Sequence, residues 1–367
     1  FSSQFLGGVS AKTGLWEMRE PDSASSQVVE RYLSAGAGAG ILTTTHVFGG
    51  LSSGLRTFEL YHKKSSGDGG VRTQNGSLVA IPLVTSTGTA LNYGVDTLGG
   101  AGSSTTSNTL APVFGLSTEV TLPASGNIFI AASFSAKTNA MGVGVWDVVV
   151  DGTAVGTSTQ RFFLAGDQGD SVTLFALAEG LSEGDHIIAL RAANTDGLTD
   201  VTTYNATLAA VALQLDENTY FPSFQASVDQ ATTTSGDFDS AVTTDVTLPS
   251  PFEYQVFVAG SYYSGALSTT GDYQVGFGGY NSQLVGQYMA GLTDYGVGGN
   301  VGLTTGTPLV ADTYEAWLQF RGSSIDIYNP NLVGFALTAA PEPTTTVFAL
   351  LAAGMGALVA RRKRKNR

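Results

Sequence analysis

Apolar and polar residues alternate through much of the chain at the two-residue period of a half-buried strand. In NIFIAASF (127–134), Ile128, Ile130, Ala132 and Phe134 fall on one side of an extended backbone. In VWDVVVDGTAVG (145–156), Trp146, Val148 and Val150 share a face, and the run then meets Asp151-Gly152. Asp-Gly between β-rich runs predicts a tight hairpin, because both turn positions need positive φ. HIIALRA (186–192) places Ile188 and Leu190 inward, and TLAAVALQL (207–215) reads as an apolar strand closing the unit. Turn-rich clusters separate these runs: GDQGD (166–170), EGLSEGDH (179–186) and NTDGLTD (194–200). Helical periodicity is confined to the C-terminal tail.

The pattern repeats. Residues 14–84 align without a gap on 144–214, and 19 of the 71 positions are identical. Trp16 matches Trp146, Arg31 matches Arg161, Gly50-Leu51-Ser52 matches Gly180-Leu181-Ser182, Gly54 matches Gly184, and Asn75 matches Asn205. SAKT (10–13) recurs as SAKT (135–138), with five residues inserted before the second Trp. A third, more diverged copy is expected. TLPASGNIFIAASF (121–134) resembles TLPSPFEYQVFVAG (247–260), TLAAVAL (207–213) resembles NLVGFAL (331–337), and Tyr273 falls near the Trp position. A period of about 125–130 residues makes each copy a whole domain.

The expected architecture is therefore mainly β. Three tandem β-sandwiches of jelly-roll type occupy 1–87, 88–215 and 216–338, and a sorting tail with one transmembrane helix follows at 339–367. Copies two and three carry segments that copy one lacks before its first matched strand. The N-terminus is thus expected to be truncated, with an export signal upstream.

Composition fits this reading: 47 glycines, 13% charged residues and no cysteine. Disulfides, thiol catalysis and zinc–thiolate sites are excluded. The net charge is −13; without the last seven residues, 11 basic groups face 30 acidic ones, −19. Such a body repels phosphate backbones, so no nucleic-acid partner is expected.

Six of the 17 Lys and Arg residues lie in the last seven positions, directly behind an uncharged run, VFALLAAGMGALVA (347–360). Fourteen helical residues span about 21 Å against the roughly 30 Å of a hydrocarbon core. Arg361 and Arg362 can snorkel to the interface. Arg361, Arg362, Lys363, Arg364, Lys365 and Arg367 form a positive-inside stop. Pro341 and Pro343 bar the helix from running back into the last domain.

Pro341-Glu342-Pro343, a short apolar span and an Arg-rich end together resemble the PEP-CTERM sorting signal. The resemblance covers the last 27 residues. It implies export, recognition by an exosortase (a membrane transpeptidase-like enzyme) and removal of the tail. The body would then reach the outer surface or extracellular matrix of a Gram-negative bacterium that makes exopolysaccharide, as in a biofilm.

Candidate chemistry in the body is sparse. His46, His62 and His186 are not shared between copies and have no metal spacing. Trp16-Glu17 and Trp146-Asp147 pair an aromatic with a carboxylate; opposite sides of a strand make each a core Trp with an outward acid, and the competing reading is a sugar-stacking ring. Asp167 and Asp170, Asp196 and Asp200, and Asp237 and Asp239 are hard oxygen ligands in Gly-rich loops, the kind calcium takes. Turn chemistry accounts for most of them, and no cofactor is expected. No nucleophile-elbow, P-loop or dinucleotide motif occurs. The leading reading is a non-enzymatic structural or adhesive surface protein. The alternative is an exopolysaccharide-binding protein using exposed aromatics, with Tyr262, Tyr263, Tyr273, Tyr280 and Tyr288 making copy three the richest candidate.

Overall fold

The computed structural model describes residues 2–338 apart from 7–11, 22, 24–25, 34–38, 52–55, 68–70, 79, 84–88, 164–168, 196–198, 217–218, 251, 266–268, 283, 290–296 and 306. Among the described residues every regular element is a β-strand. No helix among them is long and apolar enough to cross a membrane. The helix expected over 347–360 lies outside the described residues.

The strands fall into three groups. The first holds β1 (Ser2–Leu6), β2 (Lys12–Arg19), β3 (Ser26–Leu33), β4 (Ala39–Thr43), β5 (Glu59–Gly67) and β6 (Arg72–Ser77). The second holds β7 (Tyr93–Leu98), β8 (Ser103–Thr105), β9 (Ala111–Leu122), β10 (Gly126–Thr138), β11 (Gly142–Val150), β12 (Thr153–Phe163), β13 (Asp170–Leu181), β14 (Gly184–Asn194) and β15 (Val201–Ala212). A short pair, β16 (Gln214–Asp216) and β17 (Thr219–Tyr220), leads into the third. That group holds β18 (Ser223–Ser227), β19 (Gln230–Thr233), β20 (Asp239–Thr247), β21 (Tyr254–Gly265), β22 (Thr269–Phe277), β23 (Tyr280–Asn281), β24 (Val285–Met289), β25 (Val297–Thr304), β26 (Thr313–Arg321) and β27 (Ile325–Thr338).

One sheet order recurs. The second group forms β13-β10-β15-β7 facing β12-β11-β14-β9. The third forms β25-β21-β27-β18 and β20-β26-β22, with β23 and β24 both pairing β22. The first forms β4-β1-β6 and β3-β2-β5, the places of β13-β10-β15 and β12-β11-β14. Register repeats at the same offset as the sequence. Trp16 lies opposite Val29 and His62, and Trp146 opposite Thr159 and Ala192. Both indoles are fully buried. Each Nε1–H donates to a threonine hydroxyl at 2.9 Å, Trp16 to Thr73 and Trp146 to Thr203.

Each indole also lies over the glycine two residues before it. A Cβ on Gly14 or Gly144 would come within 2.3 or 2.2 Å of the ring. In the third group Gly271 and the fully buried Tyr273 repeat this arrangement, with the tyrosine OH 2.5 Å from where a Cβ would stand. A side chain on the glycine would expel the aromatic from the core.

A bulge marks the closing strand of each group. Register on β15 passes from Ser133↔Thr207 to Ser135↔Tyr204, with Asn205 at φ 47°. On β27 it passes from Ser261↔Asn331 to Tyr263↔Tyr328, with Asn329 at φ 46°. The β1–β6 register slips between Ser2↔Ser77 and Gln4↔Gln74, bracketing Asn75. Asparagine tolerates the left-handed conformation that a bulge needs, which gives a physical reason for the Asn75–Asn205 match.

The second SAKT is not a structural repeat. Lys12 and Thr13 open β2 and run straight into Trp16, whereas residues 135–138 end β10, in the opposite sheet. The buried Trp sets the register; the tetrapeptide does not. The Asp151-Gly152 turn forms as predicted, with Val150 opposite Thr153 and φ of 50° and 81°.

Between its two sheets the second group buries Ile128, Ile130, Phe134, Trp146, Val148, Ile188 and Leu190, among others. The third group has its own core around Val256, Val258, Tyr262, Tyr273 and Leu318. A smaller cluster holds Trp16, Val29 and Leu42. A further cluster lies between groups. Phe129, Phe175 and Val211, from the outer face of the β10 sheet, pack on Phe257, Val333 and Phe335 of the β21 sheet.

Candidate functional site

The sorting residues Pro341, Glu342 and Pro343, the span 347–360 and the stop Arg361, Arg362, Lys363, Arg364, Lys365 and Arg367 all lie outside the described residues. Their attachment point is described. β27 is hydrogen-bonded to β18 on one side and to β21 on the other, with Thr338 opposite Tyr254. The tail therefore starts from a paired strand, and three residues, Thr338 to Ala340, separate the last described buried core position, Leu337, from the motif.

In the body each Trp is a core ring with its acid on the opposite face of the strand, Glu17 half-buried and Asp147 buried. Asp147 accepts two hydrogen bonds from Arg191, its cross-strand partner, from Nε at 2.8 Å and Nη2 at 2.5 Å. In the third group the position after the buried aromatic holds Gln274, which donates to its cross-strand partner Gln319 at 3.2 Å, and Asp272, just before Tyr273, accepts from its own cross-strand partner Arg321 at 3.0 Å. Glu17 instead pairs with Arg19 on its own strand. With both indoles fully buried, neither offers a sugar-stacking face.

The tyrosines divide. Tyr262 and Tyr273 are buried and stacked, with centroids 4.3 Å apart. Tyr263 is half-buried and stacks on Tyr328 at 5.3 Å, while the half-buried Tyr280 reaches Thr307. The side chain of Tyr288 is not among those described. The tyrosines that the alternative, carbohydrate-binding reading would need exposed are thus divided, because alternate positions of β21 and β22 point into the core.

Asp170, Asp200 and Asp239 are used structurally, while Asp237 is exposed and donates its amide to Ser235. Asp170 is buried between Arg31 and Arg161, the two arginines that match across the repeat. The first group has Gly40 at the position of Asp170. Arg31 crosses to the acid of the second group, which ties the two groups together. Around this pair Tyr204 donates to Glu30 at 3.0 Å, Glu30 N–H donates to Ser135 at 2.7 Å, and Gln27 donates to the carbonyl of Asn205 at 2.8 Å. Burial pushes the Glu30 carboxyl up, against the hydrogen bond from Tyr204. Asp200 bonds to Asn139, and Asp239 accepts from Thr233. Asp167 and Asp196 lie outside the described residues. Among the described residues no cluster of three His, Cys, Asp or Glu could hold a metal ion.

His186 makes a contact that its sequence position does not announce. Its Nδ1 is 2.7 Å from Asp151 Oδ2, and its Nε2 is 2.8 Å from the carbonyl of Ser182. Both partners are acceptors, so both ring nitrogens must donate, and the geometry requires the imidazolium. Burial opposes that charge, but the bonds to Asp151 and Ser182 hold the His186 pKa above its ordinary 6.5. The bond from His186, with that from the Ile187 amide, holds Asp151 below 3.8. The pair closes the Asp151-Gly152 hairpin onto β14.

This contact predicts a pH window. The His186 contribution to stability is fully present below about pH 6.5 and is lost as pH rises through the raised folded value. The Asp151 contribution is present above about pH 4 and is lost as pH falls through its depressed value. Denaturation midpoints measured from pH 4 to 9 should fall on the alkaline side, and His186→Ala should flatten that fall. A midpoint in the wild type that does not decline above pH 6.5 would refute the charged pair.

A cavity of about 210 Å³ opens where the three groups meet. Its floor is the outer face of the β10 sheet, with Phe129, Ala131 and Phe175; Phe257 and Phe335 line it from the third group, and Phe48 and Phe58 from the first. His46 lines it, edge-on to Phe48 at 4.7 Å, and burial lowers its pKa to about 4.

Comparison with known proteins bears on the tail and little on the body. The profile of the PEP-CTERM protein-sorting motif matches residues 339–365. No characterised protein matches the chain as a whole. Among solved structures, PNGF-II aligns at 11% identity and a TM-score of 0.31, over 67% of this chain and 66% of its own length. The STIV MCP aligns at 8% identity and 0.26, over 68% and 97%. The N-terminal CBM22-1-CBM22-2 tandem domain of Paenibacillus barcinonensis Xyn10C aligns at 10% and 0.18, over 65% and 93%. Scores this low carry no functional argument. The Pro-Glu-Pro triplet, the uncharged span and the basic end agree with the profile, and the chain carries a PEP-CTERM protein-sorting motif at residues 339–365.

Proposed function

We propose that the chain is an exported, non-enzymatic protein of the cell surface or extracellular matrix, delivered by exosortase through its C-terminal tail. Its body is read as three tandem jelly rolls over 1–87, 88–215 and 216–338. The sorting motif directly after the last strand carries this reading. Residues 347–360 enter the membrane, the basic cluster Arg361 to Arg367 holds the end inside, and Pro341-Glu342-Pro343 is the element the exosortase recognises. The body suits a structural or adhesive part: charges that the repeats share serve to join strand groups, and aromatics that the repeats share fill cores. Exopolysaccharide binding comes second, resting on the half-buried Tyr263–Tyr328 pair.

The test uses a host that has exosortase. Full-length chain, a triple variant (Pro341→Ala, Glu342→Ala, Pro343→Ala) and a form lacking 341–367 are compared by mass and cell fraction. The full-length protein should lose its basic tail. The triple variant should stay unprocessed yet membrane-inserted, because apolarity rather than the motif drives insertion. The deletion should yield exported protein that is not retained at the surface. A mature wild-type protein that keeps Arg361 to Arg367 would make the segment a plain anchor.

A further inference from the structure

We propose that the cavity at the meeting point of the three strand groups binds a single neutral, apolar molecule the size of one aromatic ring or a short branched aliphatic chain. This goes beyond the sorting function and does not depend on it. Size comes first. An apolar cavity of about 150 Å³ stays dry and takes up benzene or xenon. The present cavity, about 210 Å³, has room for a ring with a small substituent.

Its shape follows from small residues on a sheet face that otherwise carries large ones. Ala131 and Ala209 lie on the floor beside Phe129, Phe175 and Val211. Both alanines are nearly inaccessible to solvent, so the space above them is set by the packing around it. Leu78, one of the lining residues, is 38% exposed, so the lining reaches the surface there.

Chemistry fixes the class of ligand. Among the described residues, no Asp, Glu, Lys or Arg lines the cavity. The polar residues described in its lining are two threonines, Thr43 and Thr45, and His46, which burial keeps neutral at ordinary pH. A carboxylate or ammonium would be desolvated with no counter-charge. A sugar would bury several hydroxyls against walls that answer few of them, at a cost for each unmade bond. A neutral ring loses nothing on entry and gains the contacts that the void lacks. Four phenylalanines, Phe129, Phe175, Phe257 and Phe335, line the cavity, and aromatic rings pair favourably with a further ring.

The experiment titrates fluorobenzene into the full-length chain in lipid nanodiscs, followed by fluorine NMR, with empty nanodiscs as the blank. Saturation at one molecule per chain is expected. Ala131→Phe, which fills the floor, should weaken binding at least tenfold while the near-UV circular dichroism is kept; Ala209→Leu serves the same purpose if Ala131→Phe does not fold. 4-Fluorobenzoate should not compete. Magnetisation transfer from the probe's fluorine to the methyl groups of Ala131 and Ala209 should place it in the cavity even if neither variant folds. The proposal is overturned by an absence of saturable binding, by unchanged binding in a folded filling variant, by equal binding of the benzoate, or by contact with neither methyl group.

Discussion

Replacing Trp146 with alanine should cost the second strand group about 3–5 kcal/mol, the loss for a large aromatic removed from a packed core. The indole is fully buried, with Phe134 at 5.3 Å and Phe163 at 6.3 Å between centroids. Its removal opens a cavity and strips Thr203 of its hydrogen bond. The ring also covers Gly144, which cannot accept a side chain while the indole is present. Gly144→Ala should therefore be severe alone and add little once Trp146 is alanine, since the two residues compete for one volume. Denaturant unfolding of the single and double variants checks both statements. A loss below about 1 kcal/mol for Trp146→Ala, against the core value, would remove the indole from the core.

The second large effect is expected at Asp170. Asp170→Ala leaves the guanidinium groups of Arg31 and Arg161 buried without their carboxylate, and breaking such a pair costs about 3–5 kcal/mol. The side chains of Arg31 and Arg161 are only 5% and 13% exposed, so water cannot take over. Because Arg31 comes from the first group and Asp170 from the second, the damage should appear as early loosening of the first group. Limited proteolysis should cut within residues 1–87 before any other part, and faster than in the wild type. Replacing all three residues together (Arg31→Met, Arg161→Met, Asp170→Leu) should recover much of the loss, since apolar groups of similar volume carry no desolvation penalty. An Asp170→Ala chain with wild-type stability and wild-type cleavage would mean that the cluster does not join the groups.

The sequence by itself determined whatever depends on local periodicity and on repetition. Alternation placed Ile128, Ile130, Trp146, Val148, Ile188 and Leu190 inward, and all are buried. The Asp151-Gly152 pair specified its turn because two adjacent positive φ values suit few other dipeptides. The gap-free match of 14–84 to 144–214 carried the register, since a slip of one residue would turn every side chain to the wrong face. The sorting tail was legible from three short features in order, because insertion depends on summed apolarity and end charge, not on tertiary contacts.

Only the tertiary structure decided what meets across sheets and between strand groups. Phe129 and Ala131 occupy the face that alternation alone would leave to solvent, yet a second sheet covers them. The nearly continuous apolar run TLAAVALQL was the one trace of that double burial. Arg31 and Asp170 are distant in sequence, and no repeat pattern announces their contact, because the first group lacks the acid that the second supplies. His186 found Asp151 only through strand pairing that brings the hairpin turn back to β14. The tyrosines of the third group looked alike in the sequence, and their strand parity sent Tyr262 and Tyr273 inward and left Tyr263 half-exposed. Periodicity fixes a face within one strand; which other surface covers that face depends on packing between groups far apart in the chain, and that information is not local.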